Sequence, residues 1–178
     1  LRGQSVIQTD PTFAPNTPQL AQNFEATSSA EVKINGAADA KTIVELFQNT
    51  NSQGTTISSD DGSFTFDVNL LNGENNFTTQ AISSAGKKSD LSSAYKIYYL
   101  NKPPKLDFEV KDNTIISGTT DPGVNITVND HFVLVDPLGN FKYSPYLSSG
   151  DNKILILATD KAGNVTKKEV QIKSTATP

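Results

Sequence analysis

The sequence predicts an all-β chain built as two tandem β-sandwiches. Three observations predict it. First, the chain reads twice: NGAADAKTIVEL from Asn35 is answered by SGTTDPGVNITV from Ser117, and LLNGENNFTTQAISSAGK from Leu70 by LSSGDNKILILATDKAGN from Leu147. Such self-similarity marks repeated structural units. Second, apolar and polar residues alternate within each copy, as on strands with one face in a core. Third, Gly, Asn, Asp and Pro punctuate the chain at the short intervals of a sandwich.

Taken in order, residues 1–15, with Pro11 and Pro15, read as a linker, and 16–101 as the first domain. Val32 and Ile34 begin its alternation. The next segment, ADAKTIVELF (38–47), has helix formers and apolar residues at helical spacing. Its partner TDPGVNITVN carries Pro122-Gly123 and β-branched residues, which disfavour a helix, so 42–47 is predicted as a strand. GSFTF at Gly62 matches GNFKY at Gly139. Gly118 follows Gly36 by 82 residues, but Gly139 follows Gly62 by only 77, so the first copy has the longer connection between these blocks. NNFTTQAI places Phe77, Thr79 and Ala81 on one face, and AYKIYY does the same for Tyr95, Ile97 and Tyr99. At Asn101-Lys102-Pro103-Pro104 two prolines fix φ and remove two donors, predicting an extended connector.

The second domain is placed at 102–174, with 175–178 as a tail. ITVNDHFVLV predicts a hairpin turning at Asn129-Asp130, two residues that tolerate positive φ. NKILILAT puts Ile154, Ile156 and Ala158 on one face, and KKEVQIK points Val170 and Ile172 inward. The predicted cores are Val32, Ile34, Val44, Leu46, Phe64, Phe66, Phe77 and Ala81, then Leu106, Ile116, Ile126, Val128, Phe141, Ile154, Ile156, Val170 and Ile172.

Composition narrows the function classes. The chain has 178 residues, 35% apolar and 19% charged, with a net charge of −4. An acidic chain without a basic patch is a poor match to nucleic acid. There is no cysteine, which excludes a disulfide framework, a thiolate nucleophile and Cys-based metal sites. No apolar run approaches the ~18–20 residues that span a bilayer, so no membrane insertion is expected of it. Starting at Leu1 without methionine, the chain reads as processed or cut from a longer protein.

The second copy resembles bacterial Ig-like domains of the type related to domain B of glucodextranase. Gly118, Thr119, Pro122, Gly123, Asn129, Gly139, Phe141, Gly150, Asn152, Ala158, Asp160, Ala162, Gly163 and Asn164 carry the likeness. Asp130 replaces the glycine of the hairpin. The first copy is similar more loosely, through Gly36, Asp61, Gly62, Phe64, Gly73, Asn75, Ala85 and Gly86. The resemblance implies two Ig-like sandwiches over residues 15–174. It also implies an extracellular or cell-surface setting, in tandem arrays of bacterial surface proteins or beside secreted glycoside hydrolases.

Candidate chemistry is sparse. Asp39, Asp60, Asp61, Asp121, Asp136 and Asp160 sit near predicted loops, and calcium takes oxygen ligands, so Asp121 and Asp160 are the calcium candidates. Against this, the twin of ATDKAGNVT (158–166) is AISSAGKKS, where Ser83 and Lys87 replace Asp160 and Asn164; what the copies share is a turn. His131, the single histidine, stands beside the hairpin turn, and no local signature of a catalytic triad or phosphate loop occurs. No catalytic or cofactor-binding residue is assigned. Phe132 and Tyr146 are read as scattered surface rings. Asn76, Asn125 and Asn164 open Asn-x-Thr sequons, read as chance in an Asn- and Thr-rich chain.

The expectation is therefore a non-catalytic module of a bacterial surface or secreted protein, acting as a spacer or presenter with possible adhesion. Its partners would be neighbouring domains and a surface glycan or protein. One alternative is an accessory, carbohydrate-associated module of a secreted polysaccharide-active enzyme. Another is a binder of protein partners by strand addition at a sheet edge.

Overall fold

The computed structural model describes residues 13–175, and every regular element among them is a β-strand. Residues 1–12 of the expected linker at 1–15, and the last three tail residues, lie outside the described residues. The described residues separate into two compact units: 13–25 with 29–99, and 26–28 with 100–175.

The first unit contains β1 (Gln19–Leu20), β3 (Glu31–Ala37), β4 (Ile43–Gln48), β5 (Asn51–Ile57), β6 (Ser63–Asn69), β7 (Gly73–Ile82) and β8 (Tyr95–Tyr99). The two-residue β2 (Ala26–Thr27) groups with the second unit. One sheet runs β1-β3-β6, and the strands β8-β7-β4-β5 lie side by side in the other. The second unit repeats this plan with β9 (Leu106–Lys111), β10 (Ile115–Thr120), β11 (Asn125–Val128), β12 (His131–Val133), β13 (Asn140–Tyr143), β14 (Gly150–Thr159) and β15 (Val165–Ser174). Its sheets run β9-β10-β13 and β15-β14-β11-β12. Three strands therefore face four in each unit, and the paired strands are antiparallel.

The alternating positions fill the cores. Ile34, Val44, Leu46, Phe64, Phe66, Phe77, Tyr95 and Ile97 are buried in the first unit. Leu106, Ile116, Ile126, Val128, Phe141, Ile154, Ile156 and Ile172 are buried in the second. Val32 and Val170, expected inside, are only partly buried and pack against the cores from their margins. Segment 43–48 is strand β4, as the repeat predicts, because tertiary pairing on both sides overrides its helix propensity.

A cross-strand pair fixes the same point in both sheets. Gly36 faces Phe64, and Gly118 faces Phe141. A Cβ on Gly118 would lie 2.2 Å from the Asp107 carbonyl oxygen and 2.8 Å from the Phe141 ring. On Gly36 it would lie 2.3 Å from the Phe64 ring. Each ring covers the bare backbone opposite it, which only glycine permits.

The five-residue difference between Gly36–Gly62 and Gly118–Gly139 lies in one hairpin. Leu46 pairs with Gly54 across seven intervening residues, whereas Val128 pairs with His131 across two. The extra residues extend the β4–β5 arm outward and include a register shift between Leu46 and Phe47. Both arms end in two-residue turns of positive φ, Asn49-Thr50 at 49° and 72° and Asn129-Asp130 at 44° and 65°. Their right-handed strands demand this twist, and the Asn side chains anchor it. Asn49 Oδ1 accepts from Asn76 N, and Asn129 Oδ1 from Leu155 N.

Candidate interaction surface and the loop carboxylates

The Gly-x-Asn element does structural work at the core margin. Asn75 is fully buried. Its Oδ1 accepts from Leu71 N (2.9 Å) and Gln48 Nε2 (2.7 Å). Its Nδ2 donates to the carbonyls of Leu71 (2.7 Å), Gly73 (3.0 Å) and Ile97 (3.4 Å). Asn152 makes the corresponding bonds to Ser148, Gly150 and Ile172. One side chain thus closes the turn entering β7 or β14 and ties it to the next strand.

The loop carboxylates hold backbone. Asp136 Oδ1 accepts from the amides of Leu138 (2.9 Å) and Asn140 (2.8 Å), and Oδ2 from Asn140 Nδ2 (2.8 Å). The Asn140 side chain, then its amide, hold the Asp136 carboxyl below its usual range. Asp61 falls to about 2, mainly through the Ser59 hydroxyl and then the Ser63 amide. Glu74 also falls to about 2, through the Tyr98 hydroxyl first, then Asn76 and Lys96. Asp39 takes the amide and side-chain nitrogens of Asn16, both at 2.9 Å.

Asp160 and Asp121, the calcium candidates, are engaged in the same way. Asp160 Oδ1 accepts from Ala162 N (2.8 Å) and Asn164 N (2.9 Å), closing the turn. Ser83 Oγ plays this part in the first copy, accepting from Lys87 N at 3.1 Å. The second copy adds a further contact. Asp160 Oδ2 orients Asn164 Nδ2 (2.8 Å), which also donates to the Leu100 carbonyl (2.7 Å). Asp121 Oδ2 accepts from Lys105 N (2.8 Å), while Thr120 Oγ1 donates to Lys105 O (2.6 Å). The Thr166 hydroxyl donates to the Pro104 carbonyl. Residues 100–105 are thereby clasped to the second unit. Among the described residues, no group of three or more His, Asp or Glu side chains is arranged to hold a metal ion.

The most distinctive open surface lies on the second unit. Strand β12 stands at the edge of its sheet. Phe132 is 82% exposed, Leu134 95% and Leu138 80%. Val133, between the first two, is buried, so the outward positions carry the large apolar groups. A groove of about 460 Å³ runs along this strip, lined by Val124, Asn125, Phe132, Leu134, Val135 and Pro137, among others. Exposed Asp136 also lines it, and exposed Asp130 precedes Phe132 by two residues in the chain. Phe132 is therefore not an isolated ring, because Leu134 lines the same groove. Tyr146, 93% exposed, does not line the groove. His131 is exposed beside the turn, as expected.

The described residues define an all-β sandwich of the kind found in fibronectin(III)-like modules. The solved structure of the Clostridium thermocellum CbhA fibronectin(III)-like modules superposes with a TM-score of 0.50 at 15% identity, covering 89% of this chain and 95% of that one. A structure of the Bacteroides ovatus mixed-linkage glucan utilization locus SGBP-B, in complex with mixed-linkage heptasaccharide, overlaps at a TM-score of only 0.34 and 15% identity. It covers 88% of this chain and 44% of that one. No family model matches. Among curated proteins, Bacillopeptidase F of Bacillus subtilis is 28% identical over 156 residues, 82% of this chain. The chain spans about 11% of that protein's length.

Proposed function

We propose that the chain is a non-catalytic tandem Ig-like module, residues 16–101 and 102–174, of a bacterial surface or secreted protein. It holds a neighbouring domain at a distance and presents it. The observation that carries this reading is the use made of the loop carboxylates. Asp39, Asp61, Asp121, Asp136 and Asp160 all accept hydrogen bonds that shape turns or secure incoming chain. Asp121 and Asp160 enter the proposal as anchors rather than cation ligands. A melting temperature unchanged by calcium or chelator is expected; a calcium-dependent rise would return them to the metal.

The adhesive part of the reading rests on the β12 strip. An open strand edge with alternating outward Phe132 and Leu134 suits an extended protein segment added as a further strand. Asp130 and Asp136 favour a partner with apolar residues flanked by basic ones.

Replacement in the parent protein tests the main claim. A pure spacer is restored by an unrelated sandwich pair of similar length. An adhesive module is not, and it loses its partner when Phe132 and Leu134 become serine. The second reading, an accessory module of a secreted enzyme, draws support from a relative named as a peptidase that is far longer than the matched segment. In its expected form the enzyme is polysaccharide-active; the relative extends it to peptidases. Fusion to a catalytic domain discriminates: the accessory reading requires improved turnover of an insoluble substrate and unchanged turnover of a soluble one.

A further inference from the structure

The chain contains two Asn-Gly steps, Asn35-Gly36 and Asn72-Gly73. This dipeptide is chemically fragile, because glycine leaves its amide nitrogen unshielded beside the asparagine carboxamide. The structure separates the two. Asn35 lies inside β3, with neighbours paired to β6, and its Oδ1 accepts from the Thr65 hydroxyl (2.9 Å). Asn72 sits in the turn before β7 and is exposed. A Cβ on Gly73, whose φ is +89°, would meet nothing within 4 Å, so this side of the turn is open to solvent.

We propose that Asn72 is a site of spontaneous deamidation and isoaspartate formation, and that the first unit ages through it. The Gly73 amide nitrogen bonds to Asn72 Cγ. The Cγ–Nδ2 bond breaks, and ammonia leaves carrying the Gly73 amide proton. Water then opens the cyclic imide at either carbonyl, giving aspartate or isoaspartate. No other reactant is needed.

The consequence follows from the Asn75 clasp. Asn75 grips Leu71 on one side of Asn72 and Gly73 on the other. Isoaspartate routes the main chain through the side-chain methylene and inserts one extra carbon between those two anchor points. Bonds made at 2.7–3.0 Å cannot all survive that lengthening. The second unit has the same clasp, but Ser149 occupies the position of Asn72. It carries the geometry without the reactive amide.

The experiment is ageing of the whole chain in mildly alkaline buffer, followed by peptide mass spectrometry and isoaspartate assay. Conversion at Asn72 is expected to run at least about tenfold ahead of Asn35, whose reaction must wait for strand opening. Hydrogen-exchange protection around Asn75 should fall with conversion, while protection around Asn152 holds. The Asn72→Ser variant should age without loss of protection. Conversion at Asn72 no faster in the native chain than at Asn35 overturns the site. Conversion with unchanged protection around Asn75 overturns the consequence.

Discussion

Replacing Thr79 by valine is expected to stabilise the first unit. Thr79 lies on the inward face of β7 and is fully buried, yet its Oγ1 has no hydrogen-bond partner. Its counterpart in the second unit, by pairing position, is Ile156, also fully buried. A hydroxyl taken from water and left unpaired costs about 1–3 kcal/mol. Valine keeps the β-branch and nearly the same shape, so neither cavity nor overpacking offsets the gain. The main-chain bonds of Thr79 survive the change: its amide donates to Ser92 Oγ, and its carbonyl accepts from Ser92 N. A gain of about 1 kcal/mol raises the melting temperature of a domain this size by about 4–8 °C. Calorimetry of the whole chain, with hydrogen exchange to assign each transition, measures it. Thr79→Ser supplies the control, since it keeps the hydroxyl, loses the methyl and should melt lower. A Thr79→Val chain that melts no higher than the parent refutes the reasoning, because the hydroxyl must then have a partner.

Other substitutions test other features. Gly118→Ala should destabilise the second unit by about 1–3 kcal/mol in urea unfolding, because the new methyl meets both the Asp107 carbonyl and the Phe141 ring. Asn164→Lys, the residue of the first copy, should keep the turn but release the Leu100 carbonyl, costing about 0.5–1.5 kcal/mol; unchanged unfolding of the second unit would show that the clasp is idle. Glu74 has a folded pKa of about 2 against an ordinary 4.5, so its contribution is fully present above pH 4.5 and is lost as pH falls toward 2. Tyr98→Phe removes the largest cause and should move the Glu74 carboxyl titration upward, which side-chain carbon NMR reads directly.

Much of the fold was legible because strand alternation is a local signal. Ile154, Ile156 and Ala158 announce a buried face by spacing alone, and the repeat resolved segment 38–47 where propensity misled. Val124 and Val133 join the core without belonging to a long alternating run, and they escape such a reading. Buried polar groups escape it too. Nothing local to Gln48 says that it will bond Asn75, 27 residues away, inside the sandwich. The ATDKAGNVT turn was readable from its Gly and Asp, but the Asn164 contact with Leu100, 64 residues distant, was not. The β12 strip was obscured for another reason. Alternation in HFVLV is genuine, but it gives no sign of which set of residues faces out, and here the larger ones do.

The unequal hairpin arms show where this sandwich accepts new sequence. Five residues separate the two arms in length, yet Val44 and Leu46 stay as buried as Ile126 and Val128. Growth at the tip leaves these apolar positions in place, and of the added residues Gln48 turns inward to bond Asn75. A peptide epitope or reactive tag spliced between Asn129 and Asp130 would follow the same path. The shorter arm is therefore a grafting port, with the longer arm as its natural precedent.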